Sequence, residues 1–287
     1  MISQFKSQLF LLSLLAFVGG IFLWTLGNPL QETYLGLASL FLIGLSLVIE
    51  RLAPLHRDWN IDTGDTVGDI GSFVVVFGII DSALKWLSPF VILALLPNTN
   101  TTLGWPLWAQ ITAATLLIEL GAWASHWAHH KYKPLWALHA MHHSSERLYT
   151  LNGFRFHPLN HILNHLIMFL PLLALGFSKE ALLGYTALAL PVTLFQHSNV
   201  GFQFGMFSYL FNTNTVHRWH HSAAYNEGMH NFGRAFVVWD HIFGTYYHPS
   251  DENEPAIIGL SLGGPSYPPP NQTLPQICWP FAKDCCQ

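Results

Sequence analysis

Four apolar runs constrain what this chain can fold into. Residues 5–26, 33–49, 67–96 and 105–127 are each close to, or longer than, the ~20 residues with which a helix crosses the ~30 Å hydrocarbon layer. Glu50-Arg51 ends the second run. Asp69, Asp81, Lys85 and Pro89 interrupt the third, which reads as one tilted span or a broken helix. The first is long for a signal peptide and Gly19-Gly20 is a poor cleavage site, so it reads as a retained span. Two shorter runs, 162–177 and 181–195, flank Ser178-Lys179-Glu180. They predict a helical hairpin that dips into the membrane and returns, or two spans in a thin region.

Composition agrees with these spans. Charged residues are 10% of the chain, against roughly 25% in a soluble domain, and the mean hydropathy is +0.32. A net charge of -4 without any basic tract argues against nucleic acid as a partner. Lys6, Arg51, Arg57, Lys131, Lys133, Arg147, Arg155, Arg218 and Arg234 fall on one side if four spans precede His130, which predicts that this side is cytoplasmic. Lys179 and Lys85 are the exceptions. Cys278, Cys285 and Cys286 sit in the last ten residues and form no Cys-x-x-Cys pair, so they support neither a zinc nor a redox motif.

Histidine is distributed unevenly. His56 is the only one before His126, and the other sixteen lie between His126 and His248. Three clusters stand out: His126 with His130, then His139, His142 and His143, then His217, His220 and His221. The last two share the spacing His-x-x-His-His. A helix turns ~100° per residue, so residues four apart project within about 40° of each other. In His-x-x-His-His the second histidine lies about 60° to one side of the first and the third about 40° to the other. Such a fan can feed two adjacent ions from one helical turn. Eight imidazoles exceed the four ligands of one tetrahedral zinc, so two ions are expected. His129 points elsewhere, and His56, His161, His165 and His248 read as interfacial or core residues. Imidazole suits iron, zinc, copper and nickel alike. Iron enters through function: a site beside lipid suits attack on unactivated C–H bonds, which needs redox chemistry that zinc lacks.

The string Leu135-Trp136-Ala137-Leu138-His139-Ala140-Met141-His142-His143-Ser144-Ser145 resembles the middle motif of the fatty acid hydroxylase/sterol desaturase superfamily. His126 and His130 stand where that superfamily has its first pair, with Trp127 where Arg is common, and Glu119 lies seven residues upstream. Phe154-Arg155-Phe156-His157-Pro158, His197, His217 to His221, Asn231-Phe232-Gly233 and Trp239-Asp240-His241-Ile242-Phe243-Gly244-Thr245-Tyr246 follow in the superfamily's order. His241 takes a position often held by Arg or Lys. The resemblance covers about residues 110–250. It implies a di-iron centre of two iron ions held by histidines, O2 as co-substrate, and electrons from a separate donor protein, cytochrome b5-like or ferredoxin-like, since no haem-binding domain is evident in the chain. It adds His197 as a ninth ligand. It leaves His157 as a further ligand or a group orienting one, and Asn231 as a cap or a partner of a ligand. Glu119 is left either accepting a hydrogen bond from a ligand imidazole or pairing with a cation. Asp240 is expected to fix its loop. Trp123, Trp127, Trp136 and Trp219 line a lipid slot or form an interfacial belt.

The fold expected is all-α: a polytopic membrane helical bundle with a cytoplasmic helical cap holding a histidine-rich di-metal site. Residues 1–104 form the scaffold helices, 105–250 the catalytic region with its hairpin at 162–196, and 251–287 an irregular Pro-rich tail. The function expected is a membrane-bound, O2-dependent oxidoreductase that hydroxylates or desaturates a lipid: a fatty acyl, sterol or related alkyl chain. The competing class is a histidine-rich metal-binding or metal-transport protein. Transporters place ligands at mid-membrane, whereas these clusters lie beyond span ends.

Overall fold

Leu11, Leu14, Val18 and Phe22 recur at helical spacing and are buried, whereas Phe5, Leu9, Leu12 and Leu23 of the same helix are exposed. In water each exposed leucine or phenylalanine would forgo roughly 25 cal/mol per Å² of apolar surface left uncovered. Against hydrocarbon that loss vanishes, so a helix apolar on all sides belongs in a bilayer. The computed structural model describes residues 2–95, 103–249, 254–260 and 267–282. Among these residues the chain is helical, with three isolated β-bridges and no strand.

Four helices are long and apolar enough to cross a membrane: α1 (Gln4–Trp24), α2 (Gln31–Leu52), α3 (Thr66–Leu95) and α4 (Leu107–Lys131). The third span is one continuous helical run of 30 residues despite Asp69, Asp81, Lys85 and Pro89. Its segment Phe73–Ile80 is π-helical, a wider turn that is rare at this length. The charges within it are paired: Asp81 lies 2.8 Å from Lys85 and 3.2 Å from His161.

The histidine-rich half adds α5 (Lys133–His143), α6 (Pro158–Met168), α7 (Leu170–Ala174) and α8 (Lys179–Thr193). The predicted hairpin is therefore helical on both arms. Ser178 starts α8 by accepting a hydrogen bond from the Ala181 amide, the side-chain N-cap that polar residues provide. Helix α8 packs against both α1 and α4. Gly184 allows the close approach, because a Cβ there would stand 2.6 Å from Ile111 Cδ1 and 3.3 Å from Phe22. The helices α9 (Asn214–His220), α10 (Val238–Phe243) and α11 (Thr273–Cys278) are short, as is the single turn Tyr225–Gly228.

Three carboxylates at span ends tie the cap to the scaffold. Glu50 of α2 accepts from the Thr150 amide at 3.1 Å and the Asn199 amide at 3.2 Å. Asp65 accepts from Arg147 Nε at 3.1 Å. Asp69 of α3 pairs with Arg155, and both side chains are fully buried. The tail departs from the irregular chain expected of it. Helix α11 places Gln276 in full burial, where Nε2 donates to Ser144 Oγ at 3.1 Å and Oε1 accepts from Arg155 Nη2 at 2.9 Å. Proline-rich composition gives no sign of such a contact, because a buried arginine on another segment creates the demand for it. Cys278 is exposed; Cys285 and Cys286 lie outside the described residues.

Candidate metal centre

Helix α4 carries His126, His129 and His130 on its last turns, directly past its apolar run. Pro134 then sits in the first turn of α5, where a missing amide hydrogen costs nothing. Helix α5 ends on His139, His142 and His143, and α9 on His217 and His220, with His221 as its C-cap. His197 follows α8. These nine imidazoles converge in two groups, each with its ring nitrogens within 4.8 Å of one another: His126, His130, His139, His143 and His220, and then His142, His197, His217 and His221.

The two His-x-x-His-His motifs exchange one histidine each. His139 and His143, four apart, share the first group, while His142 crosses to the second. His217 and His221, four apart, share the second group, while His220 crosses to the first. The 40° and 60° offsets on one helical turn produce this crossing.

Several nitrogens face one another closely. His143 Nε2 lies 3.1 Å from His130 Nε2, 3.2 Å from His139 Nε2 and 3.1 Å from His220 Nε2. In the second group His217 Nε2 is 3.1 Å from His197 Nε2 and 3.2 Å from His221 Nε2. The opposite ring edges explain which atoms carry protons. Nδ1 meets an oxygen at His126 (Phe232 O, 3.0 Å), His139 (Asn160 Oδ1, 2.9 Å), His142 (Arg155 O, 3.3 Å), His197 (Asn152 Oδ1, 2.8 Å) and His220 (His230 O, 2.7 Å). An oxygen of this kind can only accept, so Nδ1 holds the hydrogen and Nε2 is left with a bare lone pair. His139 and His220 thus both aim lone pairs at His143 Nε2, which carries at most one hydrogen, so at least one of these close contacts is repulsive unless a cation lies between the rings. Two imidazole nitrogens about 2.1 Å from one ion stand about 3.0–3.4 Å apart for angles of about 90–109°, so the spacing suits metal ligation. His126 Nε2 is buried without a hydrogen-bond partner among the described residues, as a nitrogen reserved for an ion would be.

Electrostatics act in the same direction. Burial first, and neighbouring imidazoles second, hold His139, His142, His143, His217, His220 and His221 well below the ordinary histidine range. Burial alone brings His197 down to about 3. At neutral pH these rings are uncharged and available as donors.

Other expected residues lie elsewhere. His157 does not join either group: Nδ1 caps α6 through the Leu159 amide and Nε2 bonds the Ile277 carbonyl of the tail. Glu119 bonds no imidazole; it accepts from Tyr185 Oη and from the amides of Arg234, Ala235 and Phe236. Asn231 likewise bonds no imidazole with its side chain, which meets Val216 O and the Tyr247 backbone. Asp240 fixes its loop as expected, accepting from the Phe232 and Gly233 amides and Thr245 Oγ1. Trp219 is completely buried and so belongs to no belt, and Trp136 borders His130 at 5.0 Å. His129, set aside as a ligand, bridges Ser125 O and Asn160.

Sequence reasoning missed Asn152 and Asn160, whose polarity beside histidine-rich segments is the one signal that could have found them. It had no means of finding the orienting carbonyls of Arg155, His230 and Phe232, since every residue has a carbonyl.

Residues 111–245 match the family described as fatty acid hydroxylase. Over 250 residues the chain is 28% identical to ornithine lipid hydroxylase OlsE of Rhizobium tropici, an alignment covering 84% of this chain and 73% of that protein. No solved structure matches the chain. Together with the four apolar helices, these likenesses support a multi-pass membrane protein and a lipid hydroxylase, hence an oxidoreductase. In its ordered motifs, its family match over 111–245 and this relative, the chain is similar to the fatty acid hydroxylase/sterol desaturase superfamily.

Proposed function

We propose that the protein is a di-iron, O2-dependent hydroxylase of an alkyl lipid, with the histidine cap on the cytoplasmic side and electrons delivered by a separate donor protein. The observation that carries this reading is the pair of crossing histidine groups at the ends of apolar helices. Five ligands, His126, His130, His139, His143 and His220, would hold one iron, and His142, His197, His217 and His221 the other. When bound, the two irons supply the redox chemistry that inserts one oxygen atom of O2 into a C–H bond and releases the other as water, using two external electrons.

The chain's own residues do the rest. Asn152, Asn160 and three carbonyls hold Nδ1 hydrogens, so that each Nε2 lone pair faces inward. Phe156 stacks on His142 at 4.5 Å and meets Phe77 of α3 at 6.0 Å. This apolar wall leads from the second histidine group to a membrane helix, keeps water off the rings, and suits an acyl chain. Burial of seven of the nine rings serves the same exclusion. Lys131, Lys133, Arg147, Arg155 and Arg218 around the clusters support a cytoplasmic cap. Hydroxylation is favoured over desaturation by the name of the relative, and a lipid with an amino-acid headgroup is the first substrate to try.

Purified protein should carry two irons per chain and add one oxygen to a lipid when given O2 and reductant. His142→Ala should deplete the group of His197, and His220→Ala the group of His126, each leaving about one iron and no product. A metal-free preparation that still converts lipid, or either variant with full activity, overturns the reading. Loss of two hydrogens from the lipid, without oxygen gain, would identify a desaturase instead.

A further inference from the structure

Loop 230–236 connects two buried carboxylates to two histidines of the five-membered group. Five consecutive amides point at acids. Phe232 N and Gly233 N donate to Asp240 at 2.8 Å each. Arg234 N, Ala235 N and Phe236 N donate to Glu119 at 3.2, 3.1 and 3.1 Å. The carbonyls of the same loop turn to the rings: His230 O receives His220 Nδ1 at 2.7 Å and Phe232 O receives His126 Nδ1 at 3.0 Å.

The loop has little freedom to take another path. A Cβ on Gly233 would stand 2.2 Å from Phe236 O and 2.8 Å from Asp240 Oδ2. Asn231 is the one non-glycine residue with positive φ among the described residues, at 59°. Glu119 and Asp240 are 2% and 0% exposed. Glu119 sits two turns before His126 on α4, so the helix that carries His126 also carries the acid that holds the loop two to four residues past Phe232, its carbonyl partner.

We propose that Glu119 and Asp240 are positioning residues for the five-histidine group. They draw the amides of 232–236 onto themselves, and the carbonyls of Phe232 and of His230, at the start of the same loop, then fix the tautomer and ring direction of His126 and His220. No carbonyl of this loop bonds His142 or His197, whose partners are Arg155 O and Asn152; the loop reaches the second group through Asn212, which bonds Gly233 O and lies 3.4 Å from His217 Nδ1. The effect therefore falls mainly on one of the two ion sites, whose rings bond the loop directly. This inference rests on the two-iron reading above.

Glu119→Gln keeps the size of the side chain but sets an NH2 against amide donors. In full-length protein loaded with iron and titrated with a chelator, retained iron is measured by elemental mass spectrometry. In a His197→Ala background, where the five-histidine group holds the remaining ion, Glu119→Gln should release it at about 10–100-fold lower chelator concentration, the range for groups that orient ligands. In a His126→Ala background the remaining ion should be released as before. Asp240→Asn should repeat the pattern and stands in if Glu119→Gln does not fold. Equal weakening in both backgrounds, or none in either, overturns the proposal. An unsubstituted protein that binds no iron overturns the two-iron reading itself.

Discussion

Asp69→Ala should be among the most destabilising single changes in the scaffold. Asp69 and Arg155 pair with both side chains at 0% exposure. Asp69 Oδ2 also accepts from Tyr149 Oη at 2.5 Å. Removing the carboxylate loses that hydrogen bond, worth about 1 kcal/mol net. The larger effect is the guanidinium left buried without its counter-charge, which costs about 3–5 kcal/mol when a buried pair is broken from one side. Together these come to about 4–6 kcal/mol; using about 2–4 °C per kcal/mol, the value for chains of 150–250 residues, the unfolding midpoint should fall by about 8–24 °C. Fluorescence-monitored thermal unfolding in detergent would read this shift. Asp69→Leu combined with Arg155→Leu should lose less than the two single changes summed, because the unpaired charge is then gone. A shift below about 2 °C, less than about 1 kcal/mol, would refute the reasoning: the guanidinium would then have found water or another acceptor.

Asn160→Ala takes the acceptor from His139 Nδ1 and the partner from His129 Nε2, both at 2.9 Å. Iron affinity of the five-histidine group should drop about 10–100-fold in a chelator titration. Gln276→Ala leaves Arg155 short of an acceptor and should cost about 1–3 kcal/mol; limited proteolysis should then cut residues 267–282 sooner than in the parent. Lys179→Ala removes a 3.1 Å pair with Glu32 whose side chains are 58% and 49% exposed. That change should cost under about 1 kcal/mol, leaving the thermal midpoint nearly unmoved.

Much of the molecule is local in origin and therefore legible. A run of ~20 apolar residues can satisfy its backbone in hydrocarbon only as a helix, so the four spans follow from composition. Ser178 before Lys179-Glu180 marks a helix start, and α8 begins there. Histidines four apart share a face of any helix, which is why the pairs His126/His130, His139/His143 and His217/His221 each stay together. Glu119 was singled out from motif position, yet its partners are amides 115–117 residues away; nothing near it in sequence could have named them.

The sequence by itself therefore determined that the long apolar runs and both hairpin arms are helical, that imidazoles cluster at the end of the fourth run and beyond it, and that each His-x-x-His-His motif fans in two directions. Only the tertiary structure decided that His142 joins His217 and His221 while His220 joins His139 and His143. It alone decided that carbonyls and asparagines orient the rings, and that the Pro-rich tail folds a short helix onto Arg155. The physical reason is range. Helical periodicity relates residues three and four apart, whereas the choice of partner across the cap depends on how separate helices pack and on which buried polar groups must be satisfied together.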